Sequence, residues 1–243
     1  MTTPRRRADV VLVERGLFES RARAKAAIEA GLVKADGIVL TKASDAIAPG
    51  ADIIAEAPHP WVSRGGVKLA HALDAFGVDP AGLICLDLGA STGGFTDVLV
   101  SRGAARVYAV DVGHGQLHPK IAADPRVVSR EGVDARDVTL DLLGAAPGLI
   151  VIDVAFIPLT LVLPAALAVA APGARLVALI KPQFEAGRDR VKKGVVRDAA
   201  IHAEVCDKVA AAVARLGWTV DGIIPSPIAG GDGNREFLLV AHT

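Results

Sequence analysis

Two lysines and two carboxylates stand out in this 243-residue chain because of what flanks them. Lys181 ends the apolar run 176–180, and Asp153 ends the run 149–152. Glu236 opens the run 237–241, and Lys68 follows Ser63-Arg64-Gly65-Gly66-Val67. A charge at the rim of an apolar run is commonly just solvated. A Lys–Asp–Lys–Glu set, however, has a definite chemical use. A lysine whose pKa is lowered by partial burial and a second cation can orient a weakly acidic hydroxyl and take its proton. The carboxylates would hold both ammonium groups in place and limit their repulsion. In this reading Lys181 is the base or hydroxyl-orienting group, and Lys68, Asp153 and Glu236 tune it.

A second constellation lies upstream, in Asp87-Leu88-Gly89-Ala90-Ser91-Thr92-Gly93-Gly94-Phe95. Glycines after a strand let the backbone turn sharply and come close to a ligand. The spacing departs from the G-x-G-x-x-G dinucleotide fingerprint, and no phosphate-loop lysine follows. Asp111 lies 22 residues beyond Gly89, where an acidic residue can accept hydrogen bonds from both hydroxyls of a ribose. Asp134 is placed to receive an adenine amino group. Three acidic residues at successive strand ends point to an adenosine-bearing cofactor.

These residues need a scaffold that gathers strand ends along one edge. From residue 83 onward the pattern alternates strand and helix, with strands expected at 83–88, 107–111, 127–129, 149–153, 176–180, 218–224 and 237–241. Helices are clearest at 96–101, 159–170 and 198–216. Such alternation gives an α/β, doubly wound and mostly parallel seven-stranded sheet, ending in an antiparallel pair. Residues 1–58 read as a small separate α+β unit, with helices at 9–14 and 20–30, a hairpin at 32–39 turning on Asp36-Gly37, and an extended piece at 47–54. Residues 59–82 join the two units and carry one helix at 67–76. The expected division is therefore 1–58, 59–82 and 83–243.

Bulk properties exclude several classes. Lys plus Arg and Asp plus Glu are both 27, so overall charge gives no argument for nucleic-acid binding and only local patches can. Cys85 and Cys206 are too few and too far apart for a disulfide framework or a zinc site, which favours a reducing cytoplasmic setting. Residues 154–174 carry no charge over 21 positions, long enough for a membrane span. Pro158, Pro164, Pro172 and Gly173 interrupt that stretch, so loop, buried helix and turn fit it better. Residues 1–9 are basic but lead into no uninterrupted apolar run, so no signal peptide is expected there.

The sequence from Asp87 resembles class I S-adenosylmethionine methyltransferases, which implies that the Gly89 loop passes the methionine part of that cofactor and that Asp87 lies near its amino group. The ordered tetrad resembles the FtsJ-like RNA 2′-O-methyltransferases. Asp153-Val-Ala-Phe is not the Asn/Asp-Pro-Pro-aromatic loop of amino-group methyltransferases, and no strand-end cysteine or G-x-S-x-G elbow is present. The closer resemblance is to the TlyA, or haemolysin A-like, family. Its phrases run through the chain as Trp61-Val-Ser-Arg-Gly-Gly-Val-Lys-Leu, Lys181-Pro-Gln-Phe-Glu-Ala-Gly and Ser226-Pro-Ile … Gly233-Asn-Arg-Glu-Phe-Leu-Leu. Ala229 departs from a phrase in which relatives often carry lysine. The resemblance implies methylation of cytidine 2′-hydroxyls in ribosomal RNA, with S-adenosylmethionine as cofactor and ribosomal RNA or ribosomal subunits as partner.

Two local cationic surfaces suit that partner. Residues 5–25 hold Arg5, Arg6, Arg7, Arg15, Arg21, Arg23 and Lys25 against three acidic residues. Their order resembles the RNA-binding domain named after ribosomal small-subunit protein four. The loop after Lys181 adds Arg188, Arg190, Lys192, Lys193 and Arg197, and the connector adds Arg64. Two other classes compete with the enzyme reading: a membrane-active haemolysin, and a non-catalytic RNA-binding assembly factor.

Overall fold

The computed structural model describes residues 5–230 and 233–243, apart from the side chain of Arg188. The chain forms two compact units that meet between Pro60 and Trp61.

In the first unit β1 (Arg6–Arg7) leads into α1 (Ala8–Glu14) and α2 (Arg21–Glu29). Ser20 caps α2, its side chain accepting from the Arg23 N–H as its residue type suggests. β2 (Val33–Ala35), β3 (Ile38–Val39) and β5 (Ile53–Ala55) form a three-stranded antiparallel sheet in the order β3-β2-β5. β4 (Ala46–Ile47) pairs with β1. Asp36 and Gly37 both take positive φ, 50° and 80°, which is the backbone a two-residue hairpin demands. The core is built from Ala8, Leu12, Ala24, Ala27, Ile28, Val33 and Ile47, the inward faces of both helices and the strands.

The second unit opens with α3 (Gly65–Phe76) and continues as β6 (Ile84–Leu88), α4 (Gly94–Ser101), β7 (Arg106–Asp111), α5 (Pro119–Ala122), β8 (Val127–Glu131), α6 (Leu140–Leu143) and β9 (Leu149–Ile152). It closes with α7 (Leu159–Ala168), β10 (Arg175–Ile180), α8 (Pro182–Glu185), α9 (Ala199–Arg215), β11 (Thr219–Pro225) and β12 (Phe237–His242). All seven strands join one sheet in the order β11-β12-β10-β9-β6-β7-β8. Each falls where the apolar runs predict it, within two residues at either end. The short helices α5, α6 and α8 escape a periodicity reading, since one turn of helix is too short to show a repeat.

Strands fully covered on both faces bury successive residues to opposite sides. Leu176, Ala178 and Ile180 point into one core with Leu163 of α7 and Val209 of α9, whereas Val177 and Leu179 point into another with Leu69 of α3 and Leu99 of α4. The uncharged stretch 154–174 becomes a loop, the buried helix α7 and the turn into β10. Among the described residues no helix is long and apolar enough to cross a membrane.

Register fixes the functional edge. Leu88 of β6 pairs with both Val110 and Ile152, and Ile152 pairs with Ala178, so the carboxyl ends of four parallel strands lie side by side. β12 runs antiparallel to β10 with Phe237 opposite Ile180. The residue that opens β12, Glu236, is thereby brought level with the residue that ends β10, Lys181. At this edge Gly89 takes φ 82°, and a Cβ there would lie 2.5 Å from the Asp153 carbonyl oxygen. Gly89→Ala should therefore cost roughly 1–3 kcal/mol of stability. Thermal unfolding should show the loss, and calorimetry should show weaker cofactor binding. Wild-type values in both would mean that the loop tolerates a side chain.

Candidate active site

The tetrad forms two ion pairs. Lys68 Nζ donates to Glu236 Oε2 at 2.5 Å, linking α3 to the start of β12. Lys181 Nζ lies 2.6 Å from Asp153 Oδ1, linking the ends of β10 and β9. The side chains of Lys68 and Glu236 are 10% and 3% exposed, those of Lys181 and Asp153 13% and 20%. Lys68, Asp153 and Lys181 line one hollow of about 370 Å³, together with Gly89, Ser91 and Phe95. Glu236 lies just behind it, against Gly230, where any Cβ would overlap its carboxylate. Each lysine therefore has its own carboxylate, and both lysines line the same hollow.

A second hollow of about 630 Å³ shares Gly89, Ser91, Asp153 and Ala155 with the first, so the two form one cleft across the strand ends. Asp111 and Asp134 line this second part. Asp111 braces the glycine loop: its Oδ2 accepts from Ser91 N at 2.8 Å and its Oδ1 from Gly113 N at 2.7 Å. Asp134 accepts from the Arg136 backbone and guanidinium at 2.7–3.0 Å, and that pairing holds its carboxyl down at about 2. Ala90, Thr92, Gly94 and Phe95 line the first hollow.

Two predicted cofactor residues line neither hollow. Gly93 takes φ 90° at the start of α4, packed where a Cβ would press on Leu117 and Ile121. Asp87 is fully buried beneath the loop, its Oδ2 accepting from Thr96 Oγ1 at 2.6 Å and its Oδ1 without a hydrogen-bond partner. Asp87, expected near the cofactor's amino group, is thus enclosed below the cleft rather than lining it. Its side chain belongs to the β6–α4 turn, and the residues above it make the cleft.

The structure also reveals neighbours that sequence reasoning passed over. Ser63 lines the first hollow and packs against Gly94, and Asp97 in α4 accepts from Val62 N at 2.8 Å and pairs with Lys120 at 3.1 Å. Gln116, Ile157 and Leu161 join the second hollow. Asp97 stands in the phrase Gly-Gly-Phe-Thr-Asp, but nothing in its spacing shows that its partner is a backbone amide 35 residues upstream.

The predicted RNA contacts are engaged to different degrees. Arg6 pairs with Glu14 at 2.6 Å, and Arg7 and Arg21 both pair with the buried Asp9, at 3.0 and 2.7 Å. Lys25 lies 3.6 Å from Glu29, while Arg5 is exposed and Arg23 half-buried. Arg7, Arg21, Lys25 and Lys42 line a shallow hollow in the first unit. In the second unit Arg190 is held by both oxygens of Glu204 at 2.6 Å, Lys192 and Lys193 are exposed, and Arg64 donates to the Ala229 carbonyl at 2.7 Å. Among the described residues no cluster of His, Cys, Asp and Glu could hold a metal ion.

Residues 61–243 match the FtsJ-like methyltransferase family and residues 6–53 the S4 domain. The chain belongs to the FtsJ-like methyltransferase family. It is similar to a Mycobacterium tuberculosis protein named 16S/23S rRNA (cytidine-2′-O)-methyltransferase TlyA, with 44% identity over 98% of this chain and 90% of that one. The solved structure of a haemolysin-like protein from Streptococcus thermophilus superposes with a TM-score of 0.78 at 43% identity, covering 99% of this chain and 89% of that one. An S-adenosylmethionine-dependent methyltransferase from Mesorhizobium loti shares the fold alone, with a TM-score of 0.51 at 14% identity over 71% of this chain and 96% of that one. The family's cofactor is S-adenosylmethionine, and the cleft suits it. Asp111 and Asp134 line its larger part, and Gly89, Ser91, Asp153 and Ala155 line both hollows where they join.

Asp87 gives the site a pH signature. Burial, then the nearby charge of Asp153, pushes its carboxyl up to about 7 against the Thr96 hydrogen bond. Between pH 4 and 7 the folded chain then keeps a proton that the unfolded chain releases. Stability should fall as pH rises through that window, by at most about 1.4 kcal/mol per pH unit. Denaturant titrations at several pH values should show this slope in the wild type and its flattening in Asp87→Asn. An unchanged slope in the variant would place the effect elsewhere.

Proposed function

We propose that this enzyme transfers a methyl group to a cytidine ribose 2′-hydroxyl of ribosomal RNA, presented within a ribosomal subunit. The observation that carries this reading is the pair of enclosed lysine–carboxylate contacts facing the cofactor cleft. S-adenosylmethionine supplies an electrophilic methyl group when bound. Asp111 and Asp134 would hold its ribose and adenine, and the Gly89 to Phe95 loop its methionine end. Lys181, its ammonium held by Asp153 2.6 Å away, orients the 2′-oxygen for attack on the methyl group, and the hydroxyl proton is released to solvent as the methyl transfers. Lys68, held from behind by Glu236, walls the same hollow and fixes the approach of the ribose.

The division of labour follows the units. Residues 1–58 serve as the RNA-binding part and 83–243 as the catalytic part, while α3 within 59–82 lends Lys68 to the latter. Arg5, Lys192 and Lys193, all exposed, meet phosphates directly, and Arg23, Lys25 and Arg64 turn from their partners within the protein to do so. Arg6, Arg7, Arg21 and Arg190 exchange part of their carboxylate pairing for phosphate, and Arg188 is assigned with them from sequence alone. The reading is supported by the S4 match and by the name of the mycobacterial relative. A ribosomal substrate and two free cysteines support a cytoplasmic location.

Purified protein should transfer labelled methyl groups to ribosomal subunits, and nuclease digestion with mass spectrometry should find 2′-O-methylcytidine. Lys181→Ala should lower kcat by roughly 10²–10⁴-fold with cofactor affinity nearly unchanged. A wild type that labels no ribosomal RNA, or a variant that labels it equally well, would refute the reading.

A further inference from the structure

The two loops that carry Asp153 and Lys181 leave adjacent parallel strands, and contacts beyond the sheet tie them together further along. Glu185 is buried at the end of α8, with its side chain 1% exposed. Its Oε1 accepts the backbone N–H of Leu159, the first residue of α7. A helix leaves its first N–H groups without internal partners, and Pro158 at the N-cap supplies no side-chain acceptor. The cap for α7 therefore comes from another helix, and as a carboxylate it also suits the positive end of the helix dipole. Lys208 of α9 closes the arrangement, donating to the Glu185 carbonyl at 2.9 Å and lying 3.4 Å from Oε2.

The position of this cap matters more than its strength. Leu159 stands six residues after Asp153, and Glu185 four residues after Lys181. Between Asp153 and Leu159 the chain passes through Phe156 at φ 65°, a left-handed conformation uncommon for an aromatic residue, with its side chain exposed. The Phe156 and Phe184 rings meet at 5.3 Å, a second tie between the same two loops. We propose that Glu185 is a positioning residue: by capping α7 from α8 it locks the Asp153 loop to the Lys181 loop and holds that pair in its reactive spacing. The inference rests on the methyltransferase reading above, and it adds a residue that touches neither substrate nor cofactor.

Two conservative variants separate reach from charge. Glu185→Gln keeps an oxygen within reach of Leu159 N but removes the charge; Glu185→Asp keeps the charge but withdraws the oxygen by one methylene. In single-turnover methyl transfer to ribosomal subunits, Glu185→Asp should lose on the order of 10- to 100-fold in rate, with the Kd for S-adenosylmethionine within roughly threefold of wild type. Glu185→Gln should recover most of that rate. The reverse order, with Gln impaired and Asp active, would show that charge and not reach is what counts, and would overturn the proposal. So would equal rates in all three proteins. Amide exchange at Leu159 gives a readout independent of activity: protection should fall in Glu185→Asp and persist in Glu185→Gln. Should wild type methylate no ribosomal RNA, the functional reading fails by itself, while equal Leu159 protection in both variants would refute the role of Glu185.

Discussion

A lysine taken out of water needs a counter-charge, and this requirement governs the catalytic edge of the molecule. Removing an ammonium from solvent costs several kcal/mol even after relaxation, and an attractive partner offsets that only when it is close and well placed. Lys68 and Lys181 are each about nine-tenths enclosed, and each has one carboxylate within 2.6 Å. The four side chains come from α3, the loop after β9, the loop after β10 and the start of β12. Each pair therefore ties together two elements that are distant in sequence. Lys68 and Glu236 are separated by 168 residues. The arrangement holds only if β12 lies antiparallel to β10 in the register observed, because a parallel last strand would carry Glu236 to the opposite edge of the sheet.

The same edge has to leave room for a cofactor. Gly89 meets that need where β6 passes beneath the Asp153 carbonyl, and the positive φ of Gly93 turns the chain into α4. Asp87 serves this turn from below. Its burial raises its proton affinity, and Thr96 bonds it from the first turn of α4. Asp111 braces the loop from the side through Ser91. An acidic residue at a strand end thus braces the loop while lining the cleft.

The first unit shows how a cationic surface is kept ordered before it meets RNA. Asp9 is buried, and Arg7 and Arg21 close over it, holding its carboxyl down at about 2. A surface of arginines pre-oriented by a shared carboxylate presents donors in fixed directions. Arg15 turns away from that surface to the carbonyls of Pro49 and Ala51, so it belongs to the fold of the unit.

Sequence by itself determined the strand pattern, the antiparallel ending and the glycine loop. Each of these follows from local chemistry: apolar runs of strand length, turn residues between them, and glycines where the backbone must turn. It also singled out Lys181 and Asp153, since charges that break strongly apolar runs are conspicuous in one dimension, whereas Lys68 and Glu236 stand out mainly through phrases shared with the family. Tertiary structure decided who pairs with whom. It gave Lys68 to Glu236 and Lys181 to Asp153, enclosed Asp87, and set Arg136 on Asp134. It also disclosed Asp97 and Glu185, whose partners are backbone amides on other elements. A backbone amide is the same at every position, so no residue type marks it in advance. Only the folded register brings that amide within reach of a carboxylate.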